Sequence, residues 1–242
     1  MKDVLIPIGL LLFIGIFAYA IVHTGRKQRK AKSRVFSDFA DKNGFRFQAE
    51  DDGKAQSFAQ DFDGIGRFSS PSLGHVIPKD VVHGIASGLE AILFRHRIRF
   101  SEGWAREWFV AGVTSAETIA ERCAVQFCKR RADRSTMYLQ DPVVKEQKVG
   151  PFNLIVRAAG PSYAGKIVDD GVLKQLAVMA ENLPFRPEIQ VRGKRIAAYL
   201  ADRNAEVEDA ETLGTLLEFT KSAASVEVGR RLRDGNTVDT TA

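Results

Sequence analysis

The sequence predicts an α+β fold, with an N-terminal transmembrane helix followed by a cytoplasmic domain of antiparallel strands with packed helices. Three observations predict it. The 19 residues from Val4 to Val22 carry no charge, and 13 of them are Leu, Ile, Val or Phe. Six basic residues then crowd between Arg26 and Arg34. From His75 onward apolar residues recur with a period near two over several short stretches, followed by stretches with helical spacing. With 242 residues, 45% of them hydrophobic, and two cysteines, the chain falls outside the disordered, collagen-like and disulfide-stapled classes.

As a helix, Val4 to Val22 is about 28 Å long at 1.5 Å per residue, close to the roughly 30 Å hydrocarbon thickness of a bilayer. Each central Leu, Ile, Val or Phe favours insertion by about 0.3–0.6 kcal/mol, so the segment is expected to enter lipid. Ala18-Tyr19-Ala20 has the small-x-small form of a leader cleavage site. Against cleavage, the apolar run continues through Ile21 and Val22, and cations follow at once. Residues 1–25 therefore read as a signal anchor. Residues 26–34 read as a basic juxtamembrane linker, whose Arg26, Lys27, Arg29, Lys30, Lys32 and Arg34 are expected at the membrane surface. Cations resist translocation, so the N-terminus should cross and the following domain should stay on the cytoplasmic side.

The formal net charge is +5. Residues 1–34 hold seven cations against Asp3 alone, a balance of +6, which leaves residues 35–242 at −1. Nucleic-acid binders need an excess of cations to neutralise phosphates, so no nucleic-acid partner is expected.

Val35, Phe36, Phe39 and Ala40 recur at helical spacing and stop at Asn43-Gly44, a helix C-cap signal. Phe58, Phe62 and Ile65 form a second short apolar pattern, and Ser69-Ser70-Pro71-Ser72 marks a loop. Lys79 to Ile85, Leu89 to Phe100 and Glu107 to Thr114 read as three adjacent antiparallel strands. In Leu93 to Phe100 cations alternate with apolar residues, as on a strand with one wet face. Further strands are expected over Ala124 to Lys129, Thr136 to Leu139 and Phe152 to Ala158. Asp169 is placed to cap a helix carrying Val172, Leu173, Leu176 and Ala177. Glu188 to Arg192 and Arg195 to Leu200 flank Gly193-Lys194 as a hairpin. A last helix, capped near Asp209, carries Leu213, Leu216 and Leu217. The domain should span residues 35–232, with a subdomain break near 145–150 and a disordered tail over 233–242.

Gly160-Pro161-Ser162-Tyr163-Ala164-Gly165-Lys166 fits G-x-x-x-x-G-K between a strand and a helix, the setting of a phosphate-cradling loop, which makes Gly160, Gly165 and Lys166 weak nucleotide-binding candidates. Ile167 stands where a hydroxyl would hold Mg²⁺, and Pro161 removes a backbone donor. His23, His75, His83 and His96 show no metal-ligand spacing, and Asp80 and His83 read as surface groups. Cys123 and Cys128 are five apart, which suits neither a redox pair nor a zinc site. Trp104 and Trp108 are spaced to anchor packing. No catalytic residue, metal or cofactor is expected.

The arrangement of N-terminal span, basic linker, short helix ending in Asn43-Gly44-Phe45 and strands around Val82-His83-Gly84 and Leu93-Phe94 resembles uncharacterised bacterial single-pass membrane proteins. Phe152 to Val156, the hairpin Glu188 to Ile196 and a closing helix extend the resemblance. It implies a bacterial inner membrane and brings no reaction with it. The expected function is a protein-interaction module at that membrane, in contact with the bilayer through Val4–Val22 and with an unidentified protein partner. The alternative is a membrane-tethered enzyme that binds a nucleotide or phosphorylated substrate through Gly160–Lys166.

Overall fold

The computed structural model describes residues 16, 19, 20, 23, 24, 27, 30–62, 78–99, 105–116, 118–129, 141–183, 186–200 and 210–234. Helix α1 covers residues 30–43, and the described positions upstream of it are helical too. Strand β1 (Arg46–Glu50) and helix α2 (Lys54–Gln60) precede three long strands, β2 (Lys79–Ala86), β3 (Leu89–Arg99) and β4 (Ala105–Thr114). Then come β5 (Ala120–Cys128), β6 (Val143–Val149) and β7 (Phe152–Arg157). A 3₁₀ helix (Pro161–Val168), α3 (Asp170–Glu181), β8 (Pro187–Gly193), β9 (Arg195–Leu200) and α4 (Ala210–Asp234) complete the order.

The nine strands form one sheet in the order β1-β2-β3-β4-β9-β8-β5-β7-β6, and all eight neighbouring pairs are antiparallel. The expected triplet is present as β2, β3 and β4, adjacent and in sequence order. The expected hairpin is β8–β9, turning through Gly193 at φ 59°. Pairing of β4 with β9 joins the two ends of the chain into one sheet. Residues 145–150, where a subdomain break was expected, lie in β6 and its turn into β7, within that same sheet. Thr136 to Leu139, Trp104, Phe100 and residues 235–242 lie outside the described residues.

Strand residues alternate between two apolar layers because successive side chains point to opposite faces. On one face Phe36, Leu93, Val125, Leu154, Leu173 and Leu217 are buried together beneath α1, the 3₁₀ helix, α3 and α4. Asp169 caps α3 as expected, accepting from the Gly171 N–H at 2.8 Å. On the other face Phe58, Phe62, Phe94, Trp108, Val110 and Tyr199 form a second cluster under α2. Leu93 and Phe94 show the split within one strand, each fully buried on its own side. The wet face expected for β3 is therefore not wet at its centre. Arg95 and His96 are 6% and 3% exposed, and Arg95 pairs with Asp80 at 2.5 Å.

Helix α2 fits against the sheet because Gly112 has no side chain. A Cβ there would lie 2.2 Å from Cζ of Phe58 and 2.9 Å from Cγ2 of Ile92. Gly112→Val should push Phe58 out of this notch and cost about 1–3 kcal/mol. The measurement is the urea midpoint followed by tryptophan fluorescence, and an unchanged midpoint would refute the notch.

Candidate functional site

The length of α2 decides where the molecule has room for a ligand. Seven residues rise about 10 Å, whereas nine strands spaced by about 4.8 Å span roughly 40 Å. The second face of the sheet is thus left with a cleft of about 700 Å³ beside the N-terminal end of α2. Asp52, Lys54 and Phe58 form one wall, and His83, Glu90 and Arg195, from three different strands, form the other. Ile85, 64% exposed, stands at its rim.

Asp51 organises the start of α2, accepting the Ala55 and Gln56 N–H groups at 2.9 and 2.7 Å. Gly53 precedes the helix at φ 99°, a left-handed conformation that glycine adopts without strain. Beside it, the Gln48 side chain donates to Asp52 at 3.1 Å, and this bond holds the Asp52 carboxyl below its ordinary range. Burial, and then the Lys54 ammonium, hold the His83 imidazole below the usual histidine range. The cleft thus brings the His83 imidazole, the acidic residues Asp52 and Glu90 and the basic residues Lys54 and Arg195 around apolar side chains. Balanced charge around an exposed isoleucine suits contact with another polypeptide, since interface rims are polar and their centres apolar.

Deeper on the same face lies a polar network that the sequence did not reveal. The Tyr199 hydroxyl donates to Glu188 at 2.6 Å and accepts from Gln190 at 2.9 Å. Full burial, then the Glu188 carboxylate, push the Tyr199 hydroxyl well above its ordinary pKa, so it stays protonated as a donor. Its ring stacks on Trp108 at 5.2 Å between centroids. Glu188, Gln190 and Tyr199 are all buried, and their mutual hydrogen bonds fasten β8 to β9.

The phosphate-loop candidates follow β7. Gly160 accepts the Tyr163 N–H at 3.1 Å, and residues 161–168 wind into a 3₁₀ helix leading to α3, with Gly165 and Lys166 inside it. Ala164 and Ile167 are buried from this segment in the main core. Of the basic linker, Lys27, Lys30 and Arg34 are exposed on helical backbone, Lys32 is half-buried, and Arg34 lies 3.7 Å from Asp38. Arg26 and Arg29 lie outside the described residues. Asp80, expected at the surface, is buried against Arg95, with φ 53° at a register shift in β2. Cys123 and Cys128 are free and buried. Among the described residues no group of three or more His, Cys, Asp or Glu could hold a metal ion.

No family model matches the chain, and no curated protein matches it. The crystal structure of the mycobacterial trehalose monomycolate transport factor A, TtfA, is similar, with a TM-score of 0.55 at 12% identity over 80% of this chain and 93% of that one. At that identity the likeness shows the fold alone, an α+β arrangement with a large antiparallel sheet.

The lowered His83 pKa has a consequence for stability. Above pH about 6.5 the imidazole is neutral in both folded and unfolded chains; below it the unfolded chain takes up a proton that the folded one resists, so stability falls with pH. His83→Gln should flatten the decline in Tm between pH 7 and 5. An identical decline in both proteins would show that burial of His83 does not perturb it.

Proposed function

We propose that the chain is a single-pass protein of the bacterial inner membrane whose cytoplasmic α+β domain binds a protein partner through the face bearing α2. The cleft beside α2 carries this reading, for its exposed Ile85 stands among charges of both signs. Tethering to a membrane raises the effective concentration of such a domain for other membrane components, so a modest contact surface suffices.

Membrane attachment rests on the uncharged Val4–Val22 and the cations that follow it. Among the described residues no helix is long and apolar enough to cross a membrane. Val4–Val22 lies outside them except for Ile16, Tyr19 and Ala20, which are helical and exposed. Ile16 and Tyr19 are 68% and 69% exposed, as side chains facing lipid would be. The description of TtfA as a transport factor names no reaction, and a domain of that fold acting by contact is compatible with it.

A reporter fused after Ala242 should be active in the cytoplasm, and activity only outside it would overturn the proposed topology. The enzymatic alternative makes a different prediction. Nucleotide binding at micromolar concentration that Lys166→Ala abolishes would favour it, whereas the interaction reading expects no such binding.

A further inference from the structure

At the C-terminal end of α2, on the face that also holds the cleft, three arginines stand directly opposite one another across three strands. Arg122 of β5 is in register with Arg192 of β8, and Arg192 with Arg195 of β9. Directly opposed residues share a face, and strands are about 4.8 Å apart, so the three side chains start within roughly 10 Å of each other. Like charges placed this way repel. Arg157, one strand beyond Arg122 and in register with Ala124, adds a fourth guanidinium at that end.

Among the described residues two carboxylates lie against the row, one at each end. Asp141 binds Arg122 at 3.0 Å, and Asp61 binds Arg195. Arg157 reaches only the main-chain oxygen of Asp141, at 3.0 Å, and its Nε is buried without a hydrogen-bond partner. Arg192, the central member, is exposed and donates to the main-chain oxygen of Asp61 at 2.9 Å. Among the described residues no carboxylate pairs with it. Two guanidinium groups of the cluster, Arg157 and Arg192, thus bond main-chain oxygens and pair with no carboxylate among the described residues.

We propose that this arginine row binds a phosphate dianion carried by a phosphorylated segment of the protein partner. Guanidinium groups match phosphate oxygens in a planar, bidentate fashion, and a dianion matches the two guanidinium groups that the register leaves without a carboxylate. The carrier, though not the anion site, rests on the interaction reading above. Lipid phosphate is the disfavoured source. Phe45 lies against Gly84, which is level with Ala91 and Val113, whereas Phe36 stacks on Phe109. Helix α1 thus runs along β4 from its start to its end, and the segment upstream of α1 leaves at the start. The row is level with Thr114, at the end of β4. With about 17 Å of strand from Phe109 to Thr114, the row stands that far past the level of Phe36, on the side away from the segment upstream of α1.

The test uses the full chain in nanodiscs of neutral lipid, titrated with inorganic phosphate against sodium chloride of equal ionic strength. Phosphate should raise Tm saturably, and Arg192→Gln should weaken its binding about tenfold or more. Without phosphate the variant should be at least as stable as the parent, because it removes the repelled central charge, and Arg192→Lys should recover only part of the affinity. No phosphate effect, or one that Arg192→Gln leaves intact, would overturn the site. A phosphoserine peptide should compete with phosphate while its unphosphorylated form does not. Competition by vesicles of anionic phospholipid but not by the phosphopeptide would overturn the proposed carrier while leaving the anion site and the interaction reading standing.

Discussion

The contact between Phe58 and the backbone at Gly112 is the constraint on which the second face of the molecule depends. The centre of the sheet is apolar on both sides, and each side must be covered. The first side has three helices and a 3₁₀ segment; the second has α2, whose seven residues could not form a stable helix alone. The missing side chain at Gly112 lets the Phe58 ring sink to the sheet, where the tilted ring of Phe62 and the edge-on ring of Phe94 flank it. From the side, the Arg195 guanidinium lies 5.7 Å from the same ring and binds Asp61 just past the helix. So placed, α2 has the cleft beside its N-terminal end and the arginine row beside its C-terminal end, and Arg195 borders both.

The other constraint is the seating of α1 on the sheet. Its Phe36, Phe39 and Ala40 are buried in the main core, while Lys27, Lys30 and Arg34 are exposed on helical backbone leading towards the apolar segment. On the proposed topology, a helix packed against the sheet sets the attitude of the domain relative to the bilayer. On the proposed topology the β8–β9 turn and the end of β4 point into the cytoplasm, and a partner would approach the second face from there. Arg95, in the cationic stretch of β3, is buried against Asp80.

Much of this fold was legible in the sequence because long strands and amphipathic helices carry their periodicity openly. Strands β2, β3 and β4, the β8–β9 hairpin, and the Asp169 cap all follow from local pattern. Strand β1 is five residues long, and β6, Val-Val-Lys-Glu-Gln-Lys-Val, is a half-exposed edge whose charges mask alternation. Charges on such an edge discourage pairing with other chains, so the feature that hid the strand is part of its chemistry. The candidate site was less legible. Arg122, Arg192 and Arg195 are scattered along the chain and become neighbours only through register, which no local pattern encodes. His83 and Asp80 looked alike as surface groups, and the register shift in β2 sends Asp80 into the core while His83 enters the cleft.

The claim that most needs testing is that the face bearing α2 is where a partner docks. A photoreactive amino acid at Ile85, beside the cleft, can be compared with one at Val178, which is 62% exposed on α3 over the opposite face. Illumination of intact cells should give a discrete protein adduct from position 85 and none of that mass from position 178. Adducts from position 178 alone would contradict the account and move the contact to the helical face.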